Sequence, residues 1–246
     1  MLRPEGKSRF VIFCDHASRD IPAELDNLGL PAAELARHIA WDIGAAGIAE
    51  ALAHIFDATA VLSPVSRLVI DCNRHLTALD LIPEQSDGTV IQGNRNLSPE
   101  ARSLRIERWF KPYHAAIESI LIDRELRGLA SIAISVHSMT DNLAGSPRPW
   151  PIAFSSDADR TADRTLAQPL IDIFRRSGVN VGDNEPYSMD PETDYSIPFH
   201  AVRRKLPYLQ VEFRQDEVSE PTGQLRWAQV FARALSQIEL LPAQHA

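Results

Sequence analysis

A chain of 246 residues, 44% of them apolar and 24% charged, has material for one large core or two small ones and an ordinary globular charge content. Its 25 Lys and Arg stand against 33 Asp and Glu. The resulting net charge of -8 argues against a nucleic-acid or anionic-membrane partner, both of which want a basic face, although a few arginines in a cleft would still bind a small anion.

In the first 20 residues only Val11-Ile12-Phe13 is continuously apolar, and no later run could span a bilayer. The expected location is therefore cytoplasmic, and Cys14 and Cys72 are expected as free thiols. Phe10–Cys14 predicts a short buried strand that runs directly into Asp15-His16-Ala17-Ser18, a loop closed by Pro22. Residues 31–56 predict a helix in two pieces, the second with an apolar stripe of Ile43, Gly47, Ile48, Leu52, Ile55 and Phe56. Ahead of that stripe, Asp42 occupies a natural N-cap position. Thr59–Leu62 predicts a strand, and residues 67–74 another, whose end presents Asp71, Asn73 and Arg74. Residues 77–98 form a long polar connection, of a length that belongs either to a lid or binding loop or to a solvated surface segment.

Ser98-Pro99-Glu100 opens a helix that continues through Trp109, Tyr113, Ile117, Ile120 and Leu121 to Gly128, with a kink expected at Pro112. Residues 131–139 predict a strand buried on both faces and ending in His137-Ser138. A proline-rich loop, Gly145-Ser-Pro-Arg148-Pro-Trp-Pro, leads to a strand at 152–154, then a helix over 160–176 ending at Gly178. A second long polar loop runs from Asn184 to His200. The last strand, 208–213, carries Glu212 near its end and Arg214 just beyond, and a final helix covers 221–239. With no internal repeat and no linker, this order predicts a single domain over 1–246, a three-layer α/β/α arrangement around a mixed, mostly parallel sheet.

Ligands of open α/β sheets bind just outside the carboxyl ends of the strands. Here those ends carry His16, Asp71, Asn73, Arg74, His137, Glu212 and Arg214. A single strand-end histidine reads as readily as a local hydrogen-bonding group, but two at the ends of two strands argue for a site. Two histidines and a carboxylate are the protein ligands of a hydrolytic zinc centre. Such an ion lowers the pKa of water from about 15.7 towards about 7, while a second carboxylate carries the proton and arginines clamp a substrate carboxylate. The residues thus point to a metal-assisted amide hydrolase for a small acidic molecule.

Several stretches carry a resemblance. Asp-His-Ala-Ser at 15–18, His-Ile-Ala-Trp-Asp-Ile-Gly-Ala at 38–45 and Ser-Arg-Leu-Val-Ile-Asp-Cys-Asn-Arg at 66–74 resemble motifs of the N-formylglutamate amidohydrolase family. So do Ile-Pro-Glu-Gln-Ser-Asp-Gly at 82–88, Ser-Val-His-Ser-Met at 135–139, Asn-Glu-Pro-Tyr at 184–187 and Val-Glu-Phe-Arg-Gln-Asp at 211–216. The likeness runs in order over about residues 10–218 and implies kinship in fold with zinc carboxypeptidases and aspartoacylases. It implies His16 and His137 as metal ligands, Glu212 as general base, and Asn73 and Arg74 as binders of the substrate carboxylate or carbonyl. Arg67, Asp71, Ser138 and Arg214 are further substrate-side candidates, and His200 either bonds substrate or is structural. The relatives use His-x-x-Glu for their first two ligands, whereas position 19 here is Arg. Asp42 is therefore expected as the third ligand, with Asp20 as the alternative, and Cys14 and Cys72 as packing rather than ligands. The implied cofactor is a divalent ion, zinc by ligand type. The implied reaction converts N-formyl-L-glutamate to formate and L-glutamate, a step of histidine catabolism. Its near rival is hydrolysis of another N-acyl amino acid or short peptide; a non-catalytic binder of acidic ligands is the rival of another class.

Overall fold

Alternation along short apolar strands builds the sheet. The structure, a computed structural model, describes residues 1–157 and 164–238. Six strands, β1 (Phe10–Cys14), β2 (Thr59–Leu62), β3 (Ile132–Met139), β4 (Ile152–Ser155), β5 (Val181–Asp183) and β6 (Tyr208–Arg214), form one sheet in the order β2-β1-β3-β6-β4-β5. The first four in that order are mutually parallel, β4 runs antiparallel to β6, and β5 runs parallel to β4. Phe10, Ile12 and Cys14 of β1, Ile134 and Val136 of β3 and Leu209, Val211 and Phe213 of β6 point to one face. Three helices cover it: α1 (Ala45–Phe56), α3 (Ala167–Arg176) and α4 (Pro221–Leu235). Val11, Phe13, Ala133 and Tyr208 point to the other face, under Tyr113, Ile117 and Leu121 of α2 (residues 99–126) and Ile197 of the short helix Ser196–His200. The three-layer α/β/α arrangement with a mostly parallel sheet is therefore present.

Helix α2 begins at Pro99–Arg105, capped by the Ser98 hydroxyl accepting from the Ala101 amide, passes through a π turn at Ile106–Phe110 and continues as Lys111–Leu126. The irregularity expected at Pro112 is thus this π turn, just ahead of a proline that cannot donate into the helix. Helix α3 ends in a Schellman motif: the Gly178 amide bonds the Arg175 carbonyl and the Val179 amide bonds the Phe174 carbonyl, with Gly178 at φ +77. The predicted start of this helix at 160–163, and Glu239 of the predicted last helix, lie outside the described residues.

Two elements differ from expectation. Residues 67–74 are turns rather than a strand. The Ser66 hydroxyl accepts from the Leu68 amide and the Ser66 carbonyl from the Val69 amide, which closes a local turn. Leu68, Val69 and Ile70 are buried not in the sheet but in a satellite core with Leu28, Ile39, Leu81, Ile82, Ile91 and Phe110. A short apolar run records burial without saying against what. Conversely, β5 has only three residues, one of them Gly182, where a Cβ would fall 2.6 Å from the Glu185 carbonyl oxygen and 2.7 Å from the Ala153 Cβ. Close approach demands the glycine there and erases the strand signal. Among the described residues no helix is long and apolar enough to cross a membrane, and Cys14 and Cys72 are buried free thiols.

Candidate active site

Strands β1, β3 and β6 lie side by side, and their carboxyl ends bring three of the expected residues together. Glu212 of β6 pairs in register with His137 of β3, and His16 follows β1 by two residues. The rings of His16 and His137 lie 5.1 Å apart between centroids. Asp42 reaches them from the turn before α1, its amide tied to the His16 carbonyl at 2.9 Å. It is not the expected helix cap: Gly44, at φ +82, takes that position, where a Cβ would fall 2.1 Å from the Val218 carbonyl oxygen. Only glycine fits there, and the tight turn directs the Asp42 carboxylate inward. One atom each from His16, Asp42 and His137 falls within a mutual 4.8 Å, and all three residues are buried. Asp20 is exposed on the surface and outside this cluster.

Each imidazole also meets a further carboxylate. His16 Nε2 is 2.7 Å from Asp71 Oδ1, leaving Nδ1 buried without a hydrogen-bond partner among the described residues and 3.4 Å from Asp42 Oδ2. His137 Nδ1 is 2.8 Å from Asp42 Oδ2, and its Nε2 faces Asp15 Oδ2 at 3.4 Å. Asp15 is held in turn by the hydroxyls of Tyr113, at 2.8 Å, and Ser196, at 2.5 Å. A metal-ligating imidazole characteristically has its second nitrogen bonded to a carboxylate. The donor set, two imidazole nitrogens and a carboxylate oxygen from three buried residues, fits a divalent zinc-like ion.

The electrostatics point the same way. Burial alone would lower the pKa of His137, but the Asp15 and Asp42 carboxylates outweigh it and hold it well above the ordinary value. His16 is raised as well: burial and Arg67 oppose, Asp71 and Asp42 prevail. Burial pushes Asp42 and Asp15 up, yet the facing imidazoles bring Asp42 below the usual carboxylate range and Asp15 down to about 2. Asp71 is also held low, chiefly by Arg67 against its burial. This ring of carboxylates favours whatever cation stands among the imidazoles. Glu212 behaves oppositely: burial, reinforced by the negative charge of Asp42, raises it to about 7. It is placed to exchange a proton near neutrality.

A cleft of about 280 Å³ opens over these residues, lined by His16, Asp42, His137 and Glu212 together with Arg67, Asn73, Arg74 and Ser138. Three other expected substrate contacts stand elsewhere and do not line it. Asp71 sits behind His16, its Oδ2 taken by Arg67 Nε and Nη2 at 3.1 and 2.7 Å. Arg214 turns away to Asp216, at 2.7 Å. His200 is fully buried, with its Nε2 2.9 Å from Nδ1 of His114, and burial lowers it to about 3. Asn73 borders the cleft but spends its side chain on structure, donating to Asp194 and accepting from the amides of Tyr195 and Ser196. Residues 77–98 contribute nothing to the lining. Two other segments do, bringing in Arg148, Tyr187 and Asp194, none of which strand-end reasoning selects. The length of the polar loop beginning at Asn184 was the available signal for two of them.

The family described as N-formylglutamate amidohydrolase matches this chain over residues 8–218. No curated protein sequence matches it significantly. Among solved structures, a gene product of Agrobacterium tumefaciens is 30% identical and superposes with a TM-score of 0.89, over 97% of this chain and 94% of that one. The N-formylglutamate amidohydrolase of Ralstonia eutropha is 20% identical with a TM-score of 0.68, over 92% of this chain and 94% of its own, and shares the fold. With nearly the whole sheet, its strand-end histidines and Glu212 inside the matched span, the chain belongs to the N-formylglutamate amidohydrolase family and is an amide hydrolase.

Proposed function

We propose that this protein hydrolyses the N-acyl amide bond of an acidic amino acid, N-formyl-L-glutamate being the first substrate to test, with His16, Asp42 and His137 holding a divalent ion, zinc by donor type. The observation that carries this reading is the convergence of those three buried donors beside Glu212, in one cleft of a chain from this family. An ion held there would polarise the amide carbonyl and acidify a water molecule.

The chain's own residues do the rest. Glu212, adjacent to His137 on the neighbouring strand, takes the proton of the attacking water and delivers it to the leaving nitrogen. Asp71 and Asp15 orient the imidazoles from behind. The Arg67 guanidinium, fixed on Asp71 and 3.7 Å from Asp42, offsets the negative charge of both acids. A cleft of about 280 Å³ suits a molecule of amino-acid size, at the small end of ligand sites.

The test is turnover of N-formyl-, N-acetyl- and longer N-acyl-glutamates and -aspartates by chelated protein with and without added zinc, together with bound-metal content. Zinc-restored hydrolysis, fastest for N-formyl-L-glutamate, is the expected result, with His16→Ala losing both metal and activity. Metal-independent turnover that survives in His16→Ala would end the metal reading. No hydrolysis of any acyl compound under loading conditions would end the functional one.

A further inference from the structure

The cleft is lined by three arginines, and two of them are already neutralised. Arg67 forks onto Asp71 and faces Asp42. Arg74 bonds Asp80 at 2.8 Å and faces Asp194 at 3.5 Å. Arg148 has no acid within ion-pair distance among the described residues, although it is only 7% exposed. One of its N–H groups donates to the Tyr187 hydroxyl, and its guanidinium carbon lies 4.8 Å from the centre of the Tyr187 ring. Its remaining donors have no partner among the described residues, and the side chain borders the cleft that contains Glu212.

A guanidinium this enclosed, with free N–H groups and no anion beside them, is only partly compensated. Its backbone is nevertheless fixed. The Arg148 amide bonds the Asp141 carbonyl at 2.7 Å, its carbonyl accepts from Arg214 at 3.3 Å, and prolines flank it at 147 and 149. Tyr187 takes one N–H group, the side chain borders the cleft, and a planar guanidinium suits bidentate capture of a carboxylate. We propose that Arg148, seated against Tyr187, is the specificity residue that grips a carboxylate of the substrate, in place of Arg67, Arg74 or Arg214. This rests on the reading that the substrate is an acidic N-acyl amino acid.

The test compares wild-type, Arg148→Met and Arg148→Lys proteins, zinc-loaded, on N-formyl-L-glutamate and on N-butylformamide, which has the same amide bond and no carboxylate. Binding of glutarate is measured by calorimetry on the same proteins. Arg148→Met should raise KM for the acid roughly 10–100-fold, the loss of one charge-assisted contact, with kcat changed less than about threefold. Glutarate affinity should fall in parallel while kcat/KM for N-butylformamide holds. Arg148→Lys should fall between, since it keeps the charge and loses the fork. Unchanged glutarate affinity in Arg148→Met, or equal damage to both amides, overturns the assignment. If Arg148→Met does not fold, Arg148→Lys and Tyr187→Phe decide: glutarate affinity equal to wild type in both overturns it. If wild-type protein hydrolyses neither amide, the proposed activity fails, while the glutarate titration still decides for Arg148.

Discussion

Replacing Glu212 by Gln tests function and folding at once, with opposite signs. The amide keeps the shape and removes the proton acceptor, so kcat should drop about 10²–10⁴-fold, the usual contribution of a positioned base, with KM nearly unchanged. For stability, burial raises the Glu212 carboxyl from 4.5 to about 7. The folded state therefore holds its proton over a pH range where the unfolded chain has released it. The favourable contribution of that proton is complete below about 4.5 and is lost as pH rises through about 7. At 1.36 kcal/mol per unit, ionised Glu212 costs the chelated fold about 3 kcal/mol at pH 8 to 9. Glu212→Gln should recover much of that, and Tm of the chelated protein should rise by several degrees at pH 8.5 and little at pH 5. Thermal melts at both pH values and steady-state kinetics of the zinc-loaded enzyme supply the readouts. Activity within tenfold of wild type removes Glu212 from the base role; a variant less stable at pH 8.5 refutes the burial argument.

Asp71→Asn should weaken zinc binding about 10–100-fold, because the amide no longer fixes the His16 ring as the carboxylate does; competition against a chromophoric chelator measures it. Gly44→Ala should cost roughly 2–4 kcal/mol in urea unfolding, since an L side chain at φ +82 is strained and its Cβ would meet the Val218 carbonyl oxygen. Burial lowers His114 to about 4 and His200 to about 3 from 6.5, so the unfolded chain takes up protons first as pH falls. Their stabilising contribution is present above about 6.5 and erodes below it. His200→Leu should therefore reduce the stability lost between pH 7 and pH 5 by about 2 kcal/mol, read from urea unfolding at the two pH values; an unchanged difference would show that His200 is not buried neutral.

Five of the six strands were legible in the sequence because a strand buried on both faces leaves an unbroken apolar run, and His16, His137 and Glu212 stood out as polar groups at the ends of such runs. Asp42 was legible as a candidate ligand only through the motif around it; its spacing suggested a cap, and what displaced that role was the fit of Gly44 against Val218, a contact between distant segments. The run at 68–70 failed as a strand because a satellite core buries side chains as thoroughly as a sheet does. Arg214 and His200 do not line the cleft, for another reason: Asp216 and His114, their partners, take up their polar groups, and such competition shows only in three dimensions. Arg148 was passed over as part of a rigid proline loop, since an unpaired charge is recognised by the acids absent around it.

His137 and Glu212 are mounted on the sheet, with His16 just beyond β1, whereas Asp42 follows Ile39 and Ala40, and Asp71 follows Ile70, out of the satellite core. The constellation straddles two apolar masses joined through α2, whose Phe110 lies in the satellite core and whose Tyr113 lies against the sheet. A cavity opened at Leu81 or Phe110, neither of which lines the cleft, would let one mass settle against the other. Its first symptom would be slack in the proposed coordination, with added zinc bound less tightly while the main sheet stayed intact.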